Sequence, residues 1–231
     1  MSERGQGALD TASLDLAADK ARALTLCPVS RETEKRLDLF VEALLLRQQT
    51  MNLVSSSTLP QIWTRHVADS LQLVPLAPRA NVWVDFGSGA GFPGIPIACA
   101  AVDNLGTTVH LVESIGKKAM FLRDAVHVTG VAAIVHQQRA EKFGDSFHGA
   151  VDVVTARALA PLKTLCDQAF PWIARGAIGI FPKGQDVDAE LTEAAKYWSI
   201  DAEKVPSKTS PQGSIVVIRG LQPRKSVKNQ H

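Results

Sequence analysis

The densest set of groups suited to ligand chemistry is Asp85–Gly94, which reads DFGSGAGFPG. Glycine brings backbone amides close to a ligand and turns the chain sharply. The apolar run Val82–Phe86 precedes these glycines directly, and a helix-length segment follows. An acid, Glu113, closes the next apolar run, Val109–Val112. In an open α/β sheet an acid at that point reaches the hydroxyl pair of a ribose. Strand, glycine turn, helix and downstream acid together read as a nucleotide-type site. A tight strand–helix turn without a ligand is the simpler alternative.

The residue types narrow the ligand. A dinucleotide fingerprint needs a third glycine where Phe92 stands. Asp85, at the carboxyl end of its strand, is ill-suited to lie beside phosphates and well suited to an ammonium group. S-adenosylmethionine carries adenosine and an amino acid and no phosphate. A phosphate-binding loop before Gly116-Lys117 would need glycine at position 111, where Leu111 stands, and a nucleophile elbow around Ser88 fails at Phe86.

These groups need a scaffold. Residues 1–8 read as a loose end and residues 9–80 as helical. Leu37, Phe40, Val41, Leu44 and Leu45 follow the spacing of one buried helix face, with Ser30 as its N-cap. A second helix is predicted from Thr58-Leu59-Pro60, burying Ile62/Trp63, His66/Val67 and Ser70/Leu71, and ended by Pro75 and Pro78. From residue 81 short β-rich runs alternate with helical stretches: Val82–Phe86, Val109–Val112, Ala133–His136, Val151–Val154 and Ala177–Phe181. Such alternation implies an α/β fold with a parallel sheet. Residues 198–205 and Ser214–Arg219 follow one another without a helix, which predicts an antiparallel pair at the sheet edge. The expected division is a helical extension over 1–80, a core over 81–222 and a basic tail over 223–231, packed as one unit.

Composition excludes several classes. The chain has 231 residues, 45% hydrophobic and 21% charged, with a net charge of +2. A disordered chain would be poorer in apolar residues, and a wholly basic nucleic-acid binder would carry more positive charge. Cys27, Cys99 and Cys166 stand apart, with no C-x-x-C pair and no Cys/His cluster of metal-binding spacing, which fits a reducing compartment and no bound metal. Asp10, Asp15 and Asp19 interrupt the N-terminal segment, so no signal peptide is expected. The charge-free run Phe86–Val102 holds four glycines and two prolines, a poor membrane span. A cytoplasmic protein off the membrane is expected, and nothing demands more than a monomer.

Six segments carry a further resemblance: Arg65-His66-Val-Ala-Asp69-Ser70, Asp85–Pro96, Glu113–Leu122, Arg139-Ala-Glu141, Ala156-Arg157-Ala158 and Phe181-Pro-Lys-Gly184. Together they resemble the RsmG (GidB) methyltransferases over residues 30–220. The resemblance implies a class I S-adenosylmethionine fold, Rossmann-like, with a mostly parallel seven-stranded sheet and an N-terminal helical extension. It implies methylation of guanine N7 in the 530 loop of 16S ribosomal RNA (position 527), with S-adenosylhomocysteine as product and the rRNA or the 30S subunit as partner. Matched by motif, Gly87 and Phe92 would contact the cofactor, Gly89 and Gly91 would shape the loop with Asp85 and Ser88, and Glu113 would hold the ribose. Arg139, Ala140 and Glu141 would border the adenine, and Arg157 would lie where cofactor and target meet.

The acceptor chemistry agrees with that reading. Guanine N7 presents a free lone pair, so no general base is required. The chain has Thr155-Ala-Arg157-Ala where amino-group methyltransferases carry a [DNS]-P-P-[YFW] box, and no cysteine placed to attack a cytosine. No catalytic residue in the strict sense is assigned. Arg157, Lys183 and His66 are positioning candidates, Arg157 through a phosphate, O6 or the cofactor carboxylate. His66 reads either as a satisfied core histidine or as lining the site. Arg65 reads either as half of a surface ion pair with Asp69 or as an RNA contact. Lys117 and Lys118 open a helix, as solvated residues or as phosphate contacts; Arg123, Arg139, Lys163 and Lys183 extend the same rim. The four tryptophans read as core. A small-molecule methyltransferase and a non-catalytic ribosome-assembly RNA-binding protein remain the alternatives.

Overall fold

A computed structural model describes residues 3–102, 104 and 106–224. Helix α1 (Glu3–Leu26) starts well before residue 9, so the expected loose end is helical from Glu3 onward. Helix α2 (Arg31–Gln48) begins at Ser30, whose hydroxyl accepts from the Thr33 amide at 3.1 Å. Its face of Leu37, Phe40, Val41 and Leu44 is buried, while Leu45 is half-buried.

The next segment departs from the predicted single helix. A 3₁₀ stretch (Ser56–Gln61) leads into a π-helical turn (Trp63–Ala68), the short α3 (Asp69–Leu71) and a last 3₁₀ turn (Val74–Leu76). The expected buried face is kept, because Ile62, Trp63, His66, Val67, Ser70 and Leu71 are all buried. The Arg65–Asp69 ion pair, one of the two readings of Arg65, does not form. A π turn carries more residues per turn than an α-helix, so the four-residue spacing no longer aligns the two side chains.

The remaining elements alternate: β1 (Val82–Phe86), α4 (Gly94–Ala100), β2 (Thr108–Val112), α5 (Gly116–Thr129), β3 (Ala133–His136), α6 (Ala140–Ser146), β4 (Val153–Ala156), α7 (Leu162–Ile173), β5 (Ile178–Lys183) and α8 (Val187–Ala194). Strands β6 (Trp198–Pro206) and β7 (Ser214–Pro223) follow. The sheet order is β3-β2-β1-β4-β5-β7-β6. β1 to β5 run parallel, and β7 is antiparallel to both neighbours, so the predicted antiparallel pair does form the edge. The basic tail beyond Arg224, with Lys225 and Lys228, lies outside the described residues.

Alternation along β1 divides the core. Trp83 packs with Leu37, Phe40 and Trp63 beneath the N-terminal helices, while Val84 and Phe86 pack with Phe143 and Trp172 on the other face. Trp63, Trp83, Trp172 and Trp198 are all buried, as expected of core residues. Strand order reverses at β1, flanked by β2 and β4, and Phe86 is level with both Val112 and Ala156. The loops after these three strands therefore open at one rim, where open α/β sheets bind ligands.

Candidate active site

The glycine loop is tied down by backbone and carboxylates. The amides of Gly87 and Ser88 donate to the Val112 carbonyl at 2.8 and 3.1 Å, and Gly91 donates to Ser88 at 2.7 Å. Gly87 and Gly91 have φ of 65° and 93°, in the left-handed region that favours glycine. Glu113 is buried and uses both oxygens: Oε2 accepts from Gly89 at 2.9 Å and Oε1 from Ile115 at 2.7 Å. It thus joins the loop to the start of α5. Asp85 is fully buried; its Oδ2 accepts from the Gly94 amide at 3.1 Å, and its Oδ1 has no partner among the described residues. Burial pushes this carboxyl up to about 7. Ser88 is buried and donates its hydroxyl to the Asp85 carbonyl at 3.0 Å.

Two cavities open at the rim. The smaller, about 210 Å³, is lined by Gly87, Ser114, Arg139, Ala140 and Glu141. The larger, about 500 Å³, is lined by Arg65, His66, Asp69, Arg157, Lys183 and Thr209 among others. Leu159 and Ala160 line both and form the wall between them. Leu159 packs over Gly87 so closely that a Cβ there would lie 2.6 Å from its Cδ1.

Arg157 and His66 form the floor of the larger cavity. The Arg157 Nη2 donates to His66 Nδ1 at 2.8 Å, and its guanidinium lies 5.2 Å from the Phe92 ring centroid. The His66 ring stacks on Phe92 at 5.0 Å, and its Nε2 lies 2.9 Å from Thr58 Oγ1. A guanidinium only donates, so His66 Nδ1 must accept and the proton resides on Nε2. Burial, then the charges of Arg157 and Arg65, lower the imidazole to about 3. Phe92, expected to contact the cofactor, lines neither cavity; its buried ring supports His66 and Arg157 from below.

The expected rim cations fall into two groups. Lys117, Arg123 and Arg139 are exposed and Lys118 is half-buried, and none makes an ion pair among the described residues. Lys163 pairs with Asp167 at 2.6 Å. Lys183 is buried at its head: it pairs with Glu190 at 2.6 Å and donates to the Ala160 carbonyl at 2.9 Å. Glu190 also accepts from the Leu162 amide at 2.6 Å. Lys183 therefore braces the wall between the cavities.

Sequence reasoning missed Gly94, Asp69, Leu159 and Glu190. For Gly94 the signal was present, four glycines in one loop; a Cβ there would lie 2.2 Å from Leu111 Cδ2. For Asp69 the motif was noted and the residue given a surface role. Nothing local marks Leu159 or Glu190.

The residues fit S-adenosylmethionine. The unpartnered oxygen of buried Asp85 suits an ammonium, and the loop and the smaller cavity leave room for a nucleoside beside Ala140 and Glu141. A doubly wound sheet with this strand order, a glycine loop after β1 and an acid after β2 is the fold of a class I S-adenosylmethionine-dependent methyltransferase. Solved structures share it: an O-methyltransferase from Bacillus cereus in complex with SAH (TM-score 0.55, 15% identity, 90% of this chain and 99% of that chain), and a putative O-methyltransferase from Klebsiella pneumoniae (TM-score 0.54, 14% identity, 91% and 99%). The sequence narrows the class. The family described as rRNA small subunit methyltransferase G matches residues 33–216. The chain is 56% identical over 207 residues to the ribosomal RNA small subunit methyltransferase G of Bradyrhizobium sp. strain BTAi1, covering 90% of this chain and 93% of that protein. A protein of the same name from Rhodopseudomonas palustris strain BisB18 is 56% identical over 210 residues, covering 91% and 90%. The chain belongs to this family. No described helix is long and apolar enough to cross a membrane.

Proposed function

We propose that this protein methylates N7 of a guanine in the 530 loop of 16S ribosomal RNA (position 527), with S-adenosylmethionine as donor. In this reading it acts in the cytoplasm, as a monomer, on the rRNA or the 30S particle. Family membership supports an rRNA substrate of the small subunit. The observation that carries the base and atom is the chemistry of the larger cavity. Its imidazole and its lysine are already committed, His66 Nδ1 to Arg157 and Lys183 to Glu190, and neither is free to take a proton. Guanine N7 needs no base, because its own lone pair forms the new bond to carbon as the carbon–sulfur bond breaks, and no proton moves. The donor supplies an activated methyl group; the protein supplies position, which is worth ~7–11 kcal/mol when well arranged. The two cavities share Leu159 and Ala160 at their common border, which Lys183 braces, so a donor methyl and an acceptor N7 would meet where the cavities adjoin. Exposed Lys117, Arg123 and Arg139, with half-buried Lys118, offer sequence-independent phosphate contacts on the same rim.

The test uses labelled S-adenosylmethionine and 30S subunits from cells lacking the gene. Incorporated methyl is mapped by borohydride reduction and aniline cleavage, which breaks the chain at 7-methylguanosine. One cleavage in the 530 loop supports the reading. No incorporation, with the cofactor still bound, returns the small-molecule methyltransferase or the non-catalytic assembly protein.

A further inference from the structure

Asp69 lines the larger cavity with an unevenly satisfied carboxylate. Its Oδ1 accepts from Thr209 Oγ1 at 2.7 Å and from Gln72 Nε2 at 2.9 Å. The Gln72 amide cannot turn over, because its Oε1 accepts from the Lys208 amide at 2.8 Å. Oδ2 makes no hydrogen bond among the described residues; its nearest cation is Arg157 Nη1 at 3.8 Å, beyond hydrogen-bond reach. The other acid of this cavity, Glu190, is held by Lys183 and the Leu162 amide. One carboxylate oxygen therefore faces the cavity with lone pairs to spare.

We infer that Asp69 reads the Watson–Crick edge of the acceptor guanine, its Oδ2 accepting from N1–H and the N2 amino group. The inference rests on the proposed guanine-N7 reading. In guanine, N7 and the N1/N2 edge lie on opposite sides of the ring, with O6 between them. Arg157 stands two residues before Leu159 of the shared border and packs on Phe92 of the glycine loop, and Asp69 Oδ2 lies 3.8 Å from its Nη1 while Oδ1 is held by Thr209. A ring entering with N7 toward the donor cavity passes O6 by Arg157 and brings its two donors to Asp69. Adenine offers an acceptor at N1, which a carboxylate rejects. The contact also favours the reaction itself. Methylation places positive charge on the purine, which strengthens N1–H and the amino group as donors, so the bond to Asp69 tightens as the transition state is approached.

The test compares kcat/KM on reconstituted 30S subunits carrying guanosine or inosine at the target position. Inosine keeps N7 and loses the amino group. Wild type is expected to lose roughly tenfold to a hundredfold on inosine. Asp69→Asn keeps the shape; because Thr209 and Gln72 hold an acceptor at the inner position, the variant turns its NH₂ toward the ligand. It is expected to slow on guanosine and to lose the discrimination, with a guanosine-to-inosine ratio near one. A purely structural role for Asp69 would slow both substrates alike and leave the ratio as in wild type, which overturns the inference. Calorimetric binding of S-adenosylhomocysteine shows whether the variant is folded. If it is not, wild type decides alone: equal rates on guanosine, inosine and 1-methylguanosine overturn the inference, and losses on both analogues uphold it. If wild type forms no 7-methylguanosine on the guanosine substrate, the underlying guanine-N7 reading has failed instead.

Discussion

Arg157 donates to His66 Nδ1 across 2.8 Å, joining the loop after β4 to the π-helical turn 91 residues earlier in the chain. This bond fixes the imidazole as neutral and as the Nε2–H tautomer. It also places a permanent cation, packed on Phe92, in the floor of the larger cavity.

Two buried groups should give opposite pH dependences of stability. His66 titrates near 3 when folded and near 6.5 when unfolded, so the unfolded chain binds the extra proton between these values. Its contribution is full above 6.5 and is lost as pH falls, by on the order of 3 kcal/mol at pH 4. Asp85, raised to about 7 from 3.8, holds its proton in the folded state over nearly the same window, and that contribution is lost as pH rises. The slopes oppose each other in the wild type. Relative to wild type, His66→Gln should gain stability at pH 4.5 over pH 7.5, and Asp85→Asn should gain at pH 7.5 over pH 4.5. Urea unfolding of the three proteins at both pH values checks this.

Gly94→Ala should destabilise the protein by about 1–3 kcal/mol, the range for overpacking a filled core. The added methyl would meet Leu111 at 2.2 Å and the Asp85 carboxylate at 2.8 Å. Denaturant midpoints measure the loss, and cofactor affinity should fall with it because Asp85 is displaced.

Glu113→Ala should weaken S-adenosylmethionine binding by about 1.5–3 kcal/mol, the range for hydrogen bonds to a charged group. The carboxylate holds the Gly89 and Ile115 amides, so its loss frees the loop, and under the proposed function it also removes a ribose partner. Calorimetry reads the change directly; an unaltered dissociation constant would place the ribose elsewhere.

Gly87→Val should abolish cofactor binding. The substitution strains a backbone at φ 65° and drives a side chain into Leu159, the wall between the cavities. Circular dichroism should show the fold retained while calorimetry shows no heat of binding.

The lysines of the rim should separate by function. Under the proposed function, Lys117→Ala should lower affinity for 30S subunits and reduce the slope of log affinity against log salt by about one. Lys183→Met should leave that slope unchanged and lower the methylation rate, because its ammonium is spent on Glu190 and Ala160 rather than on phosphate. Filter binding over a salt series, with initial rates alongside, distinguishes the two.

The glycine loop, the acid after β2, the α2 face and the edge pair were legible in the sequence because each is a local pattern. A strand of alternating burial, a turn that demands glycine and a helix stripe are written within a few residues of one another. The π turn was not legible: apolar spacing located the buried face of residues 62–71, and only the backbone shows that Arg65 and Asp69 part company there. Lys183 looked like a phosphate contact because a lysine after a strand faces the rim. Whether it is exposed depends on α8, which supplies Glu190 from the next element.

By itself the sequence determined the sheet-forming runs, the glycine loop and the family, since these depend on residue type at short spacing. Tertiary structure alone decided the larger cavity. It joins Asp69 to Thr209 across 140 residues, Gln72 to Lys208 across 136 and Arg157 to His66 across 91. Such contacts arise only once β7 has paired between β5 and β6 and the N-terminal helices have packed on the sheet. The burial that drives both steps is non-directional, and no local spacing in the chain records which distant polar groups it will bring together.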